Sequence, residues 1–310
     1  MDSEKLYKGY DPAFLGAGVH LPILSAAQQD DLVVTADFSN GVIPYIHYSL
    51  MLSKATKFPF FTATNIDGQL FKKAPRKDHW RKDPRVLQYQ WGMELYGATD
   101  ANFDRGHMTK REDVQWGDSL GTALKGADAT FYYSNAVPQH KDLNRDVWRY
   151  LEDYVLNTET VKNGLKINVF TGPVLSRINP WFITPIGNLQ IQLPVLFWKV
   201  IIFKKSGDEI YRVGFMMSQK KLLEEHGLIE QLESATMDDD IFMKFRDAAT
   251  YQVNVSLIEE LTGLSIPAAR EPYTDNRTVK LVLEDIDIDP DLESDSTEQQ
   301  LGFRITNIVL

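Results

Sequence analysis

Residues 102–117 read NFDRGHMTKREDVQWG and set Asp104, Arg105, Gly106 and His107 side by side. An imidazole, with an unperturbed pKa of about 6.5, is the side chain best suited to take a proton from water at neutral pH. A neighbouring arginine offers a planar fork of donors that grips phosphate oxygens in pairs. Base and clamp together are half of what phosphodiester hydrolysis needs. Taken singly, Asp104-Arg105 is more often a surface ion pair than a catalytic element, and Lys110 and Arg111 could contact nucleic acid or merely pair with Glu112 and Asp113. The string makes a poor core strand and a poor helix, so the sequence predicts a charged turn or part of an active site.

The other half is a hard cation and further positive charge to hold the transition state. Magnesium takes oxygen ligands and keeps several waters, so one or two protein oxygens suffice. Asn144 offers a carboxamide oxygen at the start of a predicted helix. Upstream, FKKAPRKDHWRKDPR (71–85) sets a dense run of Lys and Arg against two Asp. Arg76 is the expected phosphate clamp there, with Arg81 and Arg85 close enough in sequence to compete. Arg81, Lys110 and Arg111 are further candidates for substrate contact.

These residues must be positioned by a scaffold. PYIHYSLM (44–51), FPFFTATNI (58–66), ATFYYSNAV (129–137, stopped by Pro138), KINVFTGPVL (166–175), NLQIQLPVLFWKVIIFKK (188–205) and IYRVGFMMS (210–218) are aromatic and β-branched runs that predict strands. The last two predict an antiparallel pair. In DLNRDVWRYLEDYVLN (142–157), Leu143, Val147, Tyr150, Leu151 and Tyr154 recur at helical spacing, with Asp142 as N-cap. Residues 219–265 are expected to be mostly helical, with Gly263 as a C-cap. Gly172 is expected to serve a turn after a strand, and His140 to lie in a surface loop. GFRITNIVL at the end could return as an edge strand. The fold class is α+β, a central antiparallel sheet flanked by helices. The expected organisation is an N-terminal arm (1–30), one domain (31–270) and an acidic tail (271–310).

Composition narrows the chemistry. With 310 residues, 43% of them hydrophobic, a sizeable core is available. With no Cys, disulfides and thiolate metal sites are excluded. The six His show no HxxxH or HxH spacing, which argues against a histidine zinc site. No segment has the apolar length to span a bilayer, and the start has no signal-peptide pattern, so no membrane and a cytoplasmic location are expected. The net charge of −10 argues weakly against nucleic acid, but EDIDIDPDLESDSTE (284–298) alone carries eight acids. A local basic field survives around 71–85. The acidic stretch is either a solubilising tail or a phosphate mimic that folds over the basic run.

In order along the chain, DRGH (104–107), SNAVPQHKDLNRDVWRYLED (134–153), VFTGPV (169–174), PVLFWKVI (194–201) and IEELTGL (258–264) resemble the DNA/RNA non-specific endonuclease family. The resemblance covers about residues 40–265. It implies a ββα-metal (His-Me finger) active site. His107 would be the general base, Arg105 and Arg76 would face the phosphate, and Asn135 would be a second active-site asparagine. Asn144 would bind Mg2+ directly, with Mn2+ as a substitute, and Glu152 would support the ion through water. The implied partners are DNA and RNA, with a homodimer and an inhibitor or activator protein as further possibilities. The family's additional arginine, four positions after the glutamate, is Leu156 here. Asn144 and Glu152 are eight residues apart, about 12 Å of rise and roughly 80° beyond two turns, so a straight helix would not bring both onto one ion. Two other readings stay open: a silent or partner-activated nucleic-acid binder, and a phosphodiesterase acting on a small nucleotide.

Overall fold

The computed structural model describes residues 7–97, 103–141, 143, 151–184, 186–205, 207–229, 245, 249–275, 277–285 and 303–309. In chain order its strands are β1 (Ile43–Pro44), β2 (Tyr48–Leu52), β3 (Pro59–Asp67), β4 (Phe103–His107), β5 (Ala136–His140), β6 (Lys166–Pro173), β7 (Trp181–Ile183), β8 (Gln190–Gln192), β9 (Leu196–Lys204), β10 (Ile210–Ser218), β11 (Thr250–Val253), β12 (Val279–Lys280), β13 (Leu283–Asp285) and β14 (Phe303–Ile305). Eight of them form one sheet in the order β1-β2-β3-β6-β9-β10-β11-β12. Every pairing in it is antiparallel. The other strands form three two-stranded ribbons, β4-β5, β7-β8 and β13-β14. The expected mixed architecture with a large antiparallel sheet is therefore present. No helix among the described residues is long and apolar enough to cross a membrane.

The central strands are buried along their length because both faces are covered. All nine residues of β3 are buried. Pairing of Ala63 with Phe170 and of Asn65 with Asn168 puts these side chains on one face. The N-terminal segment covers that face. Tyr10 packs its ring 5.6 Å from Phe170 and accepts a hydrogen bond from Asn168 through its hydroxyl (2.8 Å), while the Asp11 amide donates to Asn65 Oδ1 (2.7 Å). The opposite face presents Thr62, Thr64, Thr171 and Lys199, all buried. The β4-β5 ribbon is tied to this second face, where Thr64 and Thr109 join their hydroxyls at 2.9 Å.

Several local expectations change. The 44–51 run is two strands with a turn between them, where His47 takes φ +69°. DRGH is a strand after all. Among the described residues β4 pairs with β5 alone, so its charged residues keep a half-exposed position that a central strand would deny them. The expected strand at 129–137 is instead the end of helix Leu120–Ala129, a short 3-10 turn at Tyr133–Asn135 and then β5. Pro138 does not stop β5 but lies inside it, opposite Arg105. A two-stranded ribbon leaves one edge of each strand unpaired, which is where proline is tolerated. The 188–205 run splits into β8 and β9 around Pro194.

Of the stretch 219–265 expected to be mostly helical, residues 230–244 and 246–248 lie outside the described residues, and the described part holds two helices and a strand. Helices Lys220–Glu225 and Val255–Thr262 are separated by β11, which extends the sheet, and Gly263 caps the second helix at φ +69°. Gly172 sits within β6, not in a turn. A Cβ there would meet the Phe60 carbonyl at 2.5 Å, so close strand approach requires the glycine. The C-terminal segment adds β12 to the sheet and pairs β13 with β14. Most of the acidic stretch lies outside the described residues.

Candidate active site

Alternation along β4 sends Arg105 and His107 to one face and Asp104 and Gly106 to the other. Trp80 meets both residues of the first pair, with its ring 4.7 Å from that of His107 and 5.7 Å from the Arg105 guanidinium carbon. Phe131 closes the second side of His107, edge-on at 5.2 Å. Two polar atoms on this face, Arg105 Nε and His107 Nε2, are buried with no hydrogen-bond partner among the described residues. A buried donor on a cation without an acceptor costs free energy unless a ligand supplies one. Gly106 is required on the reverse face, where a Cβ would lie 2.3 Å from the Gln139 side chain.

Burial among these rings lowers the His107 pKa to about 4. Glu112 and Asp78 oppose the shift, while Arg76 and Arg111 reinforce it. The imidazole is therefore neutral at pH 7 and able to accept a proton.

Asn135 is fully buried and spends its carboxamide on the backbone. Its Oδ1 accepts from the Thr109 amide (2.8 Å), and its Nδ2 donates to the carbonyls of Thr109 and Thr130 (3.0 Å each). It thereby fixes the chain two residues beyond His107. Asn135→Ala is expected to lower stability by about 2–4 kcal/mol, since it strands buried backbone groups. Urea unfolding measures this, and a loss under about 1 kcal/mol would remove the positioning role.

The upstream arginines separate by their partners. Arg76 is exposed and paired with Asp78 at 2.7 Å, close enough for its charge to act on His107. Arg81 points the other way from Trp80. It binds Asp128 at 2.5 Å and lies 4.0 Å over the Tyr132 ring. Arg85 is held by buried Asp83, by the Pro44 carbonyl and by the Tyr45 ring. Of the three, Arg76 alone is left near His107 with an exposed guanidinium.

Glu152 follows Leu151 on a helical turn that widens to π-helical winding over Tyr154–Val161. Its Oε1 meets Lys199 Nζ at 3.1 Å, and that ammonium also donates to Thr171 Oγ1 at 3.1 Å. Lys199 projects from the middle of β9 and is 2% exposed. Lys110 joins the same group through Asp153 at 2.5 Å, and Arg111 pairs with Glu112. Burial alone would lower the Lys110 pKa, but Glu152, Asp153, Asp113 and Glu112 together raise it. Burial pushes the Asp113 carboxyl up to about 7, against the pull of Lys199 and Lys110. Lys110 and Arg111 are thus consumed by carboxylates in this structure. Lys199 was not anticipated from sequence, although a lysine inside the apolar run LFWKVII was a readable signal.

His140 is buried at the end of β5, not in a surface loop. Its amide donates to Gln219 Oε1 and its ring lies 4.5 Å from that of His226. Leu156 is buried and brings no charge. Asn144, the expected metal ligand, lies outside the described residues, as do Asp142, Trp148 and Tyr150. Among the described residues no three His, Asp or Glu side chains gather as a metal cluster. Asn144 and Glu152 would supply hard oxygens, the donor type magnesium takes, and a mostly hydrated ion needs no more. The engagement of Glu152 with Lys199 suits support at a distance better than direct ligation.

A family model described as DNA/RNA non-specific endonuclease matches residues 31–271. The protein y4fB of Sinorhizobium fredii is 30% identical over 269 residues, which is 83% of this chain and 38% of that protein. Mitochondrial endonuclease G of Bos taurus is 32% identical over 149 residues, 44% of this chain and 47% of its own length. The nuclease of Serratia marcescens is 24% identical over 240 residues, 75% of this chain and 77% of that nuclease. The first two matches thus span less than half of each relative. A crystal structure of an EndoG/EndoGI complex, titled for the mechanism of EndoG inhibition, aligns with TM-score 0.51 and 20% identity over 72% of this chain and 84% of that one. That likeness is one of fold.

Proposed function

This chain belongs to the DNA/RNA non-specific endonuclease family, and from that premise we propose that it hydrolyses phosphodiester bonds in both DNA and RNA, with His107 as general base. The observation that carries the reading is the shared face of Arg105 and His107 against Trp80, where two buried polar atoms have no partner among the described residues. A phosphate oxygen would satisfy Arg105 Nε. Neutral His107 would take the proton of the attacking water. Arg76 would turn from Asp78 to the phosphate at little cost, because an exposed ion pair contributes about 0–1 kcal/mol. Asn135 holds the backbone after His107, so the base keeps its aim.

Asn144 and Glu152 would hold Mg2+, the first directly and the second through water, and Mn2+ would substitute. When bound, the ion would neutralise charge on the phosphate and leaving oxygens. Contacts to phosphate carry little base information, so sequence preference should be weak. An inhibitor protein and a homodimer belong to the same proposal.

The test is digestion of plasmid DNA and of RNA in magnesium and in EDTA. Both substrates should be cut in magnesium and spared in EDTA. Intact substrates in magnesium would reject the nuclease reading, and full cleavage in EDTA would reject the metal requirement.

A further inference from the structure

Phe131, whose ring lies against that of His107, also lines a cavity of about 310 Å³. Its wall is apolar, formed by Pro75, Leu124, Ala127 and Phe131, and its rim carries Lys77, Lys125 and Arg111. The volume falls at the small end of ligand pockets, about 300–1,000 Å³, which suits one nucleotide and not a duplex. Leu124 is 37% exposed, an open apolar surface of the kind a base can lie on. Lys77 and Lys125 are exposed and form no ion pair among the described residues. Arg111 binds Glu112 and the Ala74 carbonyl, yet its Nε is buried without a hydrogen-bond partner among the described residues. The carboxylate on the rim, Asp128, is already neutralised by Arg81. The pocket is therefore positive in a chain whose net charge is −10. It is also one ring removed from the imidazole, since Phe131 lies 5.2 Å from His107.

We propose that this pocket is a subsite for the nucleotide next to the scissile phosphate, with its base on Leu124 and Pro75 and its phosphate on Lys77 and Lys125. The inference rests on the nuclease reading, because it takes the His107 face as the place where the strand is cut. Aromatic and apolar platforms beside a cationic track are how single strands are held without sequence readout. A flanking nucleotide anchored here would pull the strand out of its duplex path and set the neighbouring phosphate against Arg105 and His107. The subsite thus adds strand positioning to a site that otherwise grips a single phosphate.

Binding can be read without cleavage. A fluorescein-labelled single-stranded oligonucleotide is titrated with the protein in EDTA, by anisotropy, over a series of salt concentrations. Each phosphate contact on a single strand contributes about 0.7 to the slope of log affinity against log salt. The double variant Lys77→Ala/Lys125→Ala should lower that slope by about 1.4. Lys54→Ala/Lys221→Ala, an exposed pair outside the pocket with the same charge change, should leave it unaltered. An abasic residue moved along the oligonucleotide should weaken wild-type binding about fivefold or more at one position, and Leu124→Asp should abolish that sensitivity. Equal slopes for the two lysine pairs, no sensitive abasic position, or no binding by wild type would each overturn the subsite. Failure of the nuclease reading shows separately, as intact plasmid and RNA in magnesium.

Discussion

His107→Ala is expected to lower the rate of DNA and RNA cleavage by about 10²–10⁴-fold, the range that a positioned general base contributes. Substrate affinity should change little, because Arg105, Arg76 and the lysine rim remain. Single-turnover cleavage of a labelled oligonucleotide separates the two quantities. A variant that keeps more than a tenth of the rate would show that another group activates the water.

The acid limb of the pH profile gives a second reading of the same residue. Burial holds His107 at about 4 in the fold, whereas in the unfolded chain it would titrate at about 6.5. The base is thus unprotonated across the neutral range, and the wild-type rate should stay level down to about pH 5 before falling. A midpoint at the ordinary histidine value would contradict burial as the controlling effect. Stability follows with a definite sign. As pH falls through the window from about 6.5 to about 4, the unfolded state takes up a proton that the folded state refuses, so the fold loses stability. Urea midpoints should drop more across that window in wild type than in His107→Ala.

Lys199→Met should produce the largest loss of stability. The substitution keeps the volume of the stem in β9 but removes the ammonium that faces Glu152 and Thr171. Glu152 then loses its directly paired cation in a largely buried position, with the Lys110 charge still acting on it, and breaking such a pair costs up to about 3–5 kcal/mol. Asp113 would also lose a cation that now lowers its pKa, adding to the strain on the cluster. Removing both charges, in Lys199→Met/Glu152→Gln, should recover part of the loss, since the penalty lies in the unpaired charge and not in the missing bond. Urea unfolding of wild type, both single variants and the double variant decides the matter. If Lys199→Met costs under about 1 kcal/mol, or the double variant loses the full sum of the singles, the cluster is not held by this pair.

The DRGH string was readable because base, clamp and the glycine that admits them are consecutive, so no folding knowledge was needed to see them as one group. The ordered motifs that follow identified the family for the same reason. The long strands β3, β6, β9 and β10 were also legible, because they are rich in the aromatic and β-branched residues that favour a pleated, buried strand. The short ribbon was not. β4 is charged and β5 contains Pro138, and both are strands because each needs one partner, a condition set by the other.

Sequence by itself thus determined the chemistry on offer: an imidazole, an arginine beside it, oxygen donors further on and a basic run upstream. Tertiary structure decided which of those groups are available. Arg81 and Arg85 carry the same charge as Arg76, but Asp128 and Asp83 hold them, and neither partnership follows from spacing along the chain. Lys199 is visible as a lone cation in an apolar strand, while its partner Glu152 lies 47 positions earlier on a helical turn. The depressed pKa of His107 comes from burial beside Trp80 and Phe131, which approach it from opposite directions in sequence. Charge pairing and desolvation act over a few ångströms of space, and it is the fold that sets which residues fall within that range.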